Sequence, residues 1–483
     1  MKGHSIVLAL AVPWIADGQL APSTSEGVNI QGSFRTRWES WDWFQGDANN
    51  SYNFSGNVLR LSFSQNKKAF DWQIEFAAPF LLGLPDNAVA PGAQGQLGLG
   101  ASYFAANSSS RHSAMVFPKQ VFVRFKGGAG QSLRLGRFEF MDGSETTPKS
   151  AALAAVKRDR VNQRLLGAFS WAHVGRSFDG AHYVRSKPSG NLTVIGAFPT
   201  RGAFQTDGWG WTSTAFAYGA YTKPWGKGAH SAETRALALY YADWRSVVKT
   251  DSRPLAVRRA DLAGLRIGTF GGHHLSAFTT KAGTLDLMFW GVGQTGKWGP
   301  LDHRAHAVAF EAGLQPKIAG RLKPWLRAGF FDGSGDANPN DRSHNTFFQV
   351  LPTPRAFARF PFYGLINNQD WMGILILRPH KDITVSSEFH ALRLASSRDL
   401  WYLGGGAFQP WTFGYTGRAA GGARSLANLY DTSVEYRARP DLAIVSYFGY
   451  AQGRAATAAI YPRGKDGMFG YLELLYRFAW KKT

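Results

Sequence analysis

From Ile30 to Phe478, segments of roughly ten residues alternate apolar with polar positions, the length and period of a β-strand that crosses a bilayer. Between Gly470 and Phe478, one face carries Leu472, Leu474, Tyr476 and Phe478. The other carries Tyr471, Glu473, Leu475 and Arg477. An apolar face backed by a charged one is satisfied with lipid outside and water inside. The fold expected is all-β: a transmembrane antiparallel β-barrel of about 18 strands, occupying 28–480.

The strands are expected near 28–41, 52–64, 69–79, 118–126, 131–140, 172–185, 190–199, 212–222 and 232–245. The second half continues near 259–270, 283–295, 302–315, 321–332, 370–379, 381–394, 425–438, 441–452 and 468–478. Every second connection should be a short periplasmic turn. Asn66-Lys67-Lys68, Lys187-Pro188-Ser189-Gly190, Pro316 to Gly320, Pro379-His380-Lys381 and Arg439-Pro440-Asp441 carry the Gly, Pro or Asn that such turns use. Long extracellular loops fall at 80–117, 141–171, 333–369 and 395–424. One connection, 271–282, is longer than a periplasmic turn should be.

Composition narrows the class. No run of eighteen or more uncharged apolar residues exists, so a transmembrane helix is not expected. Only 18% of residues are charged, 14% are aromatic and 55 are glycine, which suits long strands, tight turns and interfacial aromatics, and would also suit a soluble β-propeller. Cysteine is absent, and a barrel closed by ladder hydrogen bonds needs none. Lys2, the apolar run Ile6 to Ile15 and the small residues of Ala16-Asp17-Gly18 form a secretory signal over 1–18. The expected location is the bacterial outer membrane, with its lipid and the barrel-assembly machinery as partners.

Net charge is +21, which calls for an anionic partner: nucleic acid, lipid A phosphates or an acidic solute. Nucleic acid is not that partner, because no lysine-rich helix or compact basic module is present. Arginine recurs singly inside strands instead. A lipid-facing arginine at mid-depth costs ~2–4 kcal/mol, so the more apolar parity is assigned to lipid. Phe34, Thr36 and Trp38 then face outward, and Arg35, Arg37 and Glu39 line the pore. The same rule turns Arg60, Arg124, Arg134, Arg266, Arg327, Arg437 and Arg477 inward, with Glu311, Glu388, Glu435 and Glu473. Arg137 shares its parity with Leu133 and Leu135, so either a bulge intervenes or it lies at the rim. Arg176 and Asp179 have no assignable orientation. These arginines either draw an anion along the pore or brace the wall against the glutamates, and their excess over acids favours the first role.

Other motifs carry less. Gly291 to Gly296 fits a three-glycine nucleotide pattern, but Trp298-Gly299-Pro300 follows instead of a helix, so a hairpin turn is expected. Asp332, Asp336 and Asp341 sketch a calcium site in an extracellular loop, though Ala337 replaces the turn glycine. An ordered polar loop is the stronger reading, and no cofactor is expected. His273-His274 has no partner at ligand spacing and reads as a solvated turn. His390, beside Ser386 and Glu388, is the one candidate for a barrel-wall lipid hydrolase, and no enzyme activity is expected.

Leu133-Arg134-Leu135-Gly136-Arg137, Gly175-Arg176-Ser177-Phe178-Asp179-Gly180, the loop Ser334 to Asp341 with Thr346-Phe347 and Leu351-Pro352, Arg398 to Tyr402, and Tyr471 to Phe478 together resemble the alginate-export family of outer-membrane barrels. The resemblance implies an eighteen-stranded barrel with an electropositive lumen that passes an anionic polysaccharide, such as alginate, without hydrolysing an energy source. It also implies that Arg134, Arg137, Arg176 and Asp179 are lumen or rim residues. The expected function is passive export or diffusion of an acidic solute, most concretely a uronate polysaccharide, through an arginine-lined pore. A porin for small anions or nutrients is the alternative, and a loop folded into the bore would distinguish it from a polymer exporter.

Overall fold

The computed structural model describes residues 27–317 and 320–480; the leader expected over 1–18 lies outside them. Eighteen antiparallel strands form a closed barrel. In chain order they are β1 (Asn29–Asp42), β2 (Ser51–Asn66), β3 (Phe70–Leu82), β4 (Phe117–Lys126), β5 (Gln131–Phe138) and β6 (Phe178–Lys187). Then come β7 (Gly190–Pro199), β8 (Thr214–Trp225), β9 (His230–Asp243), β10 (Leu265–Thr279), β11 (Gly283–Trp298) and β12 (Leu301–Pro316). The last six are β13 (Trp325–Gly333), β14 (Asn368–His380), β15 (Ile383–Arg393), β16 (Ser425–Arg439), β17 (Leu442–Gly453) and β18 (Gly467–Trp480). Each strand pairs with its neighbours in sequence, and β1 also pairs with β18, from Ile30 opposite Trp480 to Asp42 opposite Met468. Closure satisfies the backbone without a free edge, which a bilayer interior requires.

The two ends differ as expected. At one end the connections are short, among them 67–69, 127–130, 188–189, 280–282, 381–382 and 440–441. The turn expected at Pro316 to Gly320 crosses residues 318–319, outside the described set. At the other end lie 83–116, 139–177, 200–213, 244–264, 334–367 and 394–424. One connection there is also minimal: Gly299-Pro300 joins β11 to β12. Gly299 takes φ +59°, and a Cβ on it would meet the Asp261 carboxylate at 2.6 Å, so glycine is required at this corner.

Side-chain alternation follows the sequence pattern closely. On β1, Arg35, Arg37, Glu39 and Trp41 are buried inside, while Trp38 is 57% exposed on the outer face. Phe270, Phe289, Phe310, Trp371, Phe448 and Leu472 continue an apolar outer surface around the wall. An apolar surface on this scale marks a membrane-embedded wall. The packed core lies inside the barrel, where loop residues such as Leu165, Phe169, Phe347, Phe348, Leu351, Phe357, Phe360 and Phe362 meet the inner wall.

Four expectations are corrected. The strand expected at 172–185 begins at Phe178, because 139–177 is a loop that runs back into the barrel. The strand expected at 259–270 is β10, and the overlong connection at 271–282 reduces to 280–282. His273-His274 is therefore strand, not turn: His273 faces inward to Glu233 Oε1 at 3.0 Å, and His274 faces outward to Thr234 Oγ1 at 2.8 Å. Likewise Gly291 to Gly296 lies within β11 and the hairpin turns only at Gly299. In both places glycines that read as turn signals sit in paired strands, where Cβ-less positions allow close backbone approach.

Candidate functional site in the barrel lumen

The inner wall brings together charged side chains that are distant in sequence. Arg37 is fully buried, with Nε 2.5 Å from Glu473 Oε2 and Nη1 3.5 Å from Glu39 Oε1. Its guanidinium also lies over the rings of Trp171 at 4.6 Å and Tyr471 at 4.7 Å. Arg60 bridges Glu75 and, at 2.9 Å, Glu139. Arg327 bridges Asp286 and, at 3.1 Å, Glu311. Arg37–Glu473, Arg60–Glu75 and Arg327–Glu311 each span neighbouring strands, and such pairs keep buried charges compensated.

A second layer comes from the loops. Arg35 donates from Nη1 to Ser170 O at 2.8 Å and from Nη2 to Ala172 O at 2.6 Å, clamping segment 139–177 against the wall. Arg160 Nε of the same segment donates to both carboxylate oxygens of Glu311, at 3.0 and 2.9 Å, and Arg164 lies 3.6 Å from that carboxylate. Lys157 pairs with Glu233 at 2.6 Å, and Arg235 with Glu145 at 2.5 Å. His173 Nε2 meets Glu39 Oε1 at 2.8 Å, yet burial pushes its imidazole down to about 4, so it is neutral. From segment 334–367, Arg359 reaches Glu435 at 2.8 Å.

Three cavities lie inside the barrel among the described residues. One, of ≈420 Å³, sits on the long-loop side among Trp43, Phe169, Phe204, Phe408, Trp411, Phe413 and Tyr415. A second, of ≈130 Å³, lies beneath it among Arg158, Arg160, Arg327, Arg359, Arg378, Glu388 and Glu435. Trp171 and Arg355 line both, which puts them where the two spaces meet. A third, of ≈510 Å³, opens beside the 127–130 turn and is lined by Arg124, Lys126, Arg134 and His182.

At the junction, Arg355 donates both Nη groups to the carbonyls of Phe360 and Tyr363. No carboxylate among the described residues lies within ion-pair distance of it. Burial pulls it down to about 10, which still leaves it protonated at neutral pH. Arg176 is similar: it donates to Gly405 O, its Nε and Nη1 have no partner, and burial pulls it down to about 10. A cation whose partners are carbonyls keeps its full charge and can be met by a passing anion.

The residues expected to line the pore divide into three groups. Arg35, Arg37, Glu39, Arg60, Arg134, Arg327, Glu388, Glu435 and Glu473 are on the inner wall, and Arg124, Arg437 and Arg477 share that parity nearer the short-turn end. Arg176 lies inside the barrel, carried by the loop before β6. Arg137, Asp179 and Arg266 do not line the pore. Arg137 and Asp179 are register partners on the outer face at the long-loop rim, paired at 2.7 Å, with no register shift in that strand pair. Arg266 is exposed on the outer face, one residue into β10, because Leu265 and Ile267 take the inner positions. A rim position costs an arginine far less than mid-depth, which is why the polarity rule turned Arg266 inward; for Arg137 the rim alternative holds and no bulge intervenes.

Asp332, Asp336 and Asp341 are not drawn together into a metal-binding group among the described residues. Asp336 accepts the Asn338 amide and Asp341 the Ser343 amide, as in ordinary polar loops. His390 bonds to Asp370 at 2.8 Å, while Ser386 Oγ donates to Glu388 at 3.2 Å, so no Ser–His pair is formed. The sequence reading missed Arg160, Arg164, Trp171, Arg355 and Arg359, all on loops. Phe347-Phe348, Phe357 and Phe360-Pro361-Phe362-Tyr363 were the available sign: so many large apolar residues do not suit a loop standing in water.

A sequence profile of the family described as Alginate export matches residues 27–448. No curated protein matches the chain. Among solved structures, the outer membrane protein OpdK from Pseudomonas aeruginosa superposes with TM-score 0.55 at 10% identity, over 94% of this chain and 100% of that one. OccAB2 from Acinetobacter baumannii superposes with TM-score 0.59 at 8% identity, over 94% and 98%. OpdK solved with vanillate is similar with TM-score 0.55 at 11% identity, over 94% and 99%. At such identities these likenesses establish the fold.

Proposed function

The chain belongs to the alginate-export family and is an outer-membrane channel; from that premise we propose that its solute is a small carboxylate-bearing ring compound, a uronate or short oligouronate, moving by diffusion. The observation that carries this reading is the filled bore. Segments 139–177, 334–367 and 394–424 fold inside the wall, and the inner cavities of ≈420 and ≈510 Å³ are of small-ligand size. A solute entering from the long-loop side meets aromatic surface first, then the charge of Arg355 beside Trp171. Arginines beyond the junction offer further sites, and the glutamates on the same wall keep any single site from holding the anion too long. OpdK, a neighbour in fold, has been solved with vanillate, a small aromatic carboxylate. Family and fold are those of channels, not enzymes.

Single-channel recording tests the reading. Mono- and diuronates added to one side should interrupt the current at concentrations where neutral sugars of equal size do not, and block should weaken as the oligomer lengthens. Equal block by acidic and neutral sugars overturns the proposal. The family description favours a second reading, export of a uronate polymer, and that reading requires the three inner loops to withdraw. Block that strengthens steadily up to long oligouronates, together with a conductance step upward, would select the polymer.

A further inference from the structure

The strands β10, β11 and β12 present an arrangement on the outer wall that solute passage does not use. Their register sets residues in rows across the membrane-facing surface. His274, Phe289 and Phe310 form one row; Phe270, Gly293 and His306 form a row closer to the long-loop end. Next come Gly268, Thr295 and Arg304, and then Arg266, Lys297 and Asp302. Four residues of strand span ~13 Å, so the surface passes from phenylalanine to guanidinium within the depth of a membrane interface.

The outermost rows are unusual in charge. Arg266 stands directly opposite Lys297, and Arg304 is diagonal to Lys297, an arrangement of like charges that destabilises a bare sheet. Lys297 is answered by Asp302 at 2.5 Å and His306 by Asp332 at 3.3 Å. Among the described residues, no carboxylate lies within ion-pair distance of Arg266 or Arg304. Below them is a surface groove of ≈480 Å³, lined by Phe270, Gly293, Thr295, Arg304 and His306. Gly293 is its floor: a Cβ there would meet nothing within 4 Å. The groove is lined by residues of these strands alone.

We infer that this face is a binding site for a phosphorylated glycolipid of the outer leaflet, of the lipid A type. A phosphate bridges Arg266 and Arg304, and one acyl chain lies over Gly293 against Phe270. The phosphate relieves the like-charge contact, and charge-assisted bonds from two guanidiniums favour phosphate over a neutral headgroup.

Native mass spectrometry of the purified barrel tests this with two probes, a bisphosphorylated lipid A and the same acylated disaccharide without phosphates. The wild type should retain the phosphorylated form at least tenfold more. Arg266→Gln/Arg304→Gln should remove that preference while single-channel conductance is unchanged, and Gly293→Phe, which fills the groove, should lower retention of both forms. Equal retention of the two lipids overturns the inference, as does a preference that survives the double substitution. Release of the lipid by millimolar inorganic phosphate would assign the site to a free anion and would also overturn it. Heat-modified mobility on gels identifies any variant with a disrupted barrel, and Arg266→Lys/Arg304→Lys, which keeps the charge, should retain most of the preference.

Discussion

Replacing Arg355 by glutamine removes one positive charge from the junction of the two cavities and leaves a shorter, neutral polar side chain. Arg355 hydrogen-bonds to carbonyls, so no direct ion pair cancels its charge. An anion ~5 Å away gains about 0.8 kcal/mol if the passage has the dielectric of bulk water, and about 3.3 kcal/mol at an effective dielectric of 20. At the aqueous limit that is about a fourfold change in anion occupancy, and the cation loses an equal repulsion. The ratio of anion to cation permeability, read from the reversal potential in a salt gradient, should therefore fall at least ~10-fold in Arg355→Gln. Arg355→Lys should keep most of the selectivity, because it keeps the charge and loses only the fork geometry. A selectivity unchanged within twofold in Arg355→Gln, with the barrel folded, would refute the placement of Arg355 on the ion path. A large rise in conductance would instead mean that the bonds to Phe360 and Tyr363 hold the loop in place.

Other outcomes follow from the same geometry. Glu311→Gln leaves Arg160, Arg327 and Arg164 without their shared carboxylate; it should destabilise the barrel by ~3–5 kcal/mol in urea unfolding and increase current noise as segment 139–177 loosens. Phe310→Arg places a guanidinium on the lipid face of β12 and should cost ~2–4 kcal/mol in vesicle refolding, whereas inward substitutions nearby should spare insertion. His344 Nδ1 meets His303 Nδ1 at 2.9 Å, tying segment 334–367 to β12. Burial first, then His303 and Arg253, hold His344 well below its usual value. An unfolded imidazole protonates near ~6.5, so below that pH the released loop binds a proton that the docked loop does not. Anchorage is complete above that pH and weakens as pH falls; channel opening should rise toward pH 5, and His344→Gln should flatten the dependence.

The sequence by itself determined the wall. Period-two alternation, the parity of short and long connections and the cost of charge in lipid were enough for eighteen strands, their order and the inward direction of Arg35, Arg37, Arg60 and Arg327. These are local properties, because each strand reports its own two solvents. Position along the strand is not reported in that way, so Arg266 was turned into the pore and Arg137 and Asp179 were left open, when all three stand at the outer rim. Glycine was ambiguous for a related reason: Gly271-Gly272 and Gly291 to Gly296 look alike whether a chain turns or two strands lie close. Only the tertiary structure decided what fills the bore. Arg160 reaches Glu311 across 151 residues of sequence, and Trp171 and Arg355 meet only because two separate loops fold into one barrel. Which arginines are cancelled by carboxylates, and which stay open to an anion, depends on those long-range meetings, and no spacing along the chain encodes them.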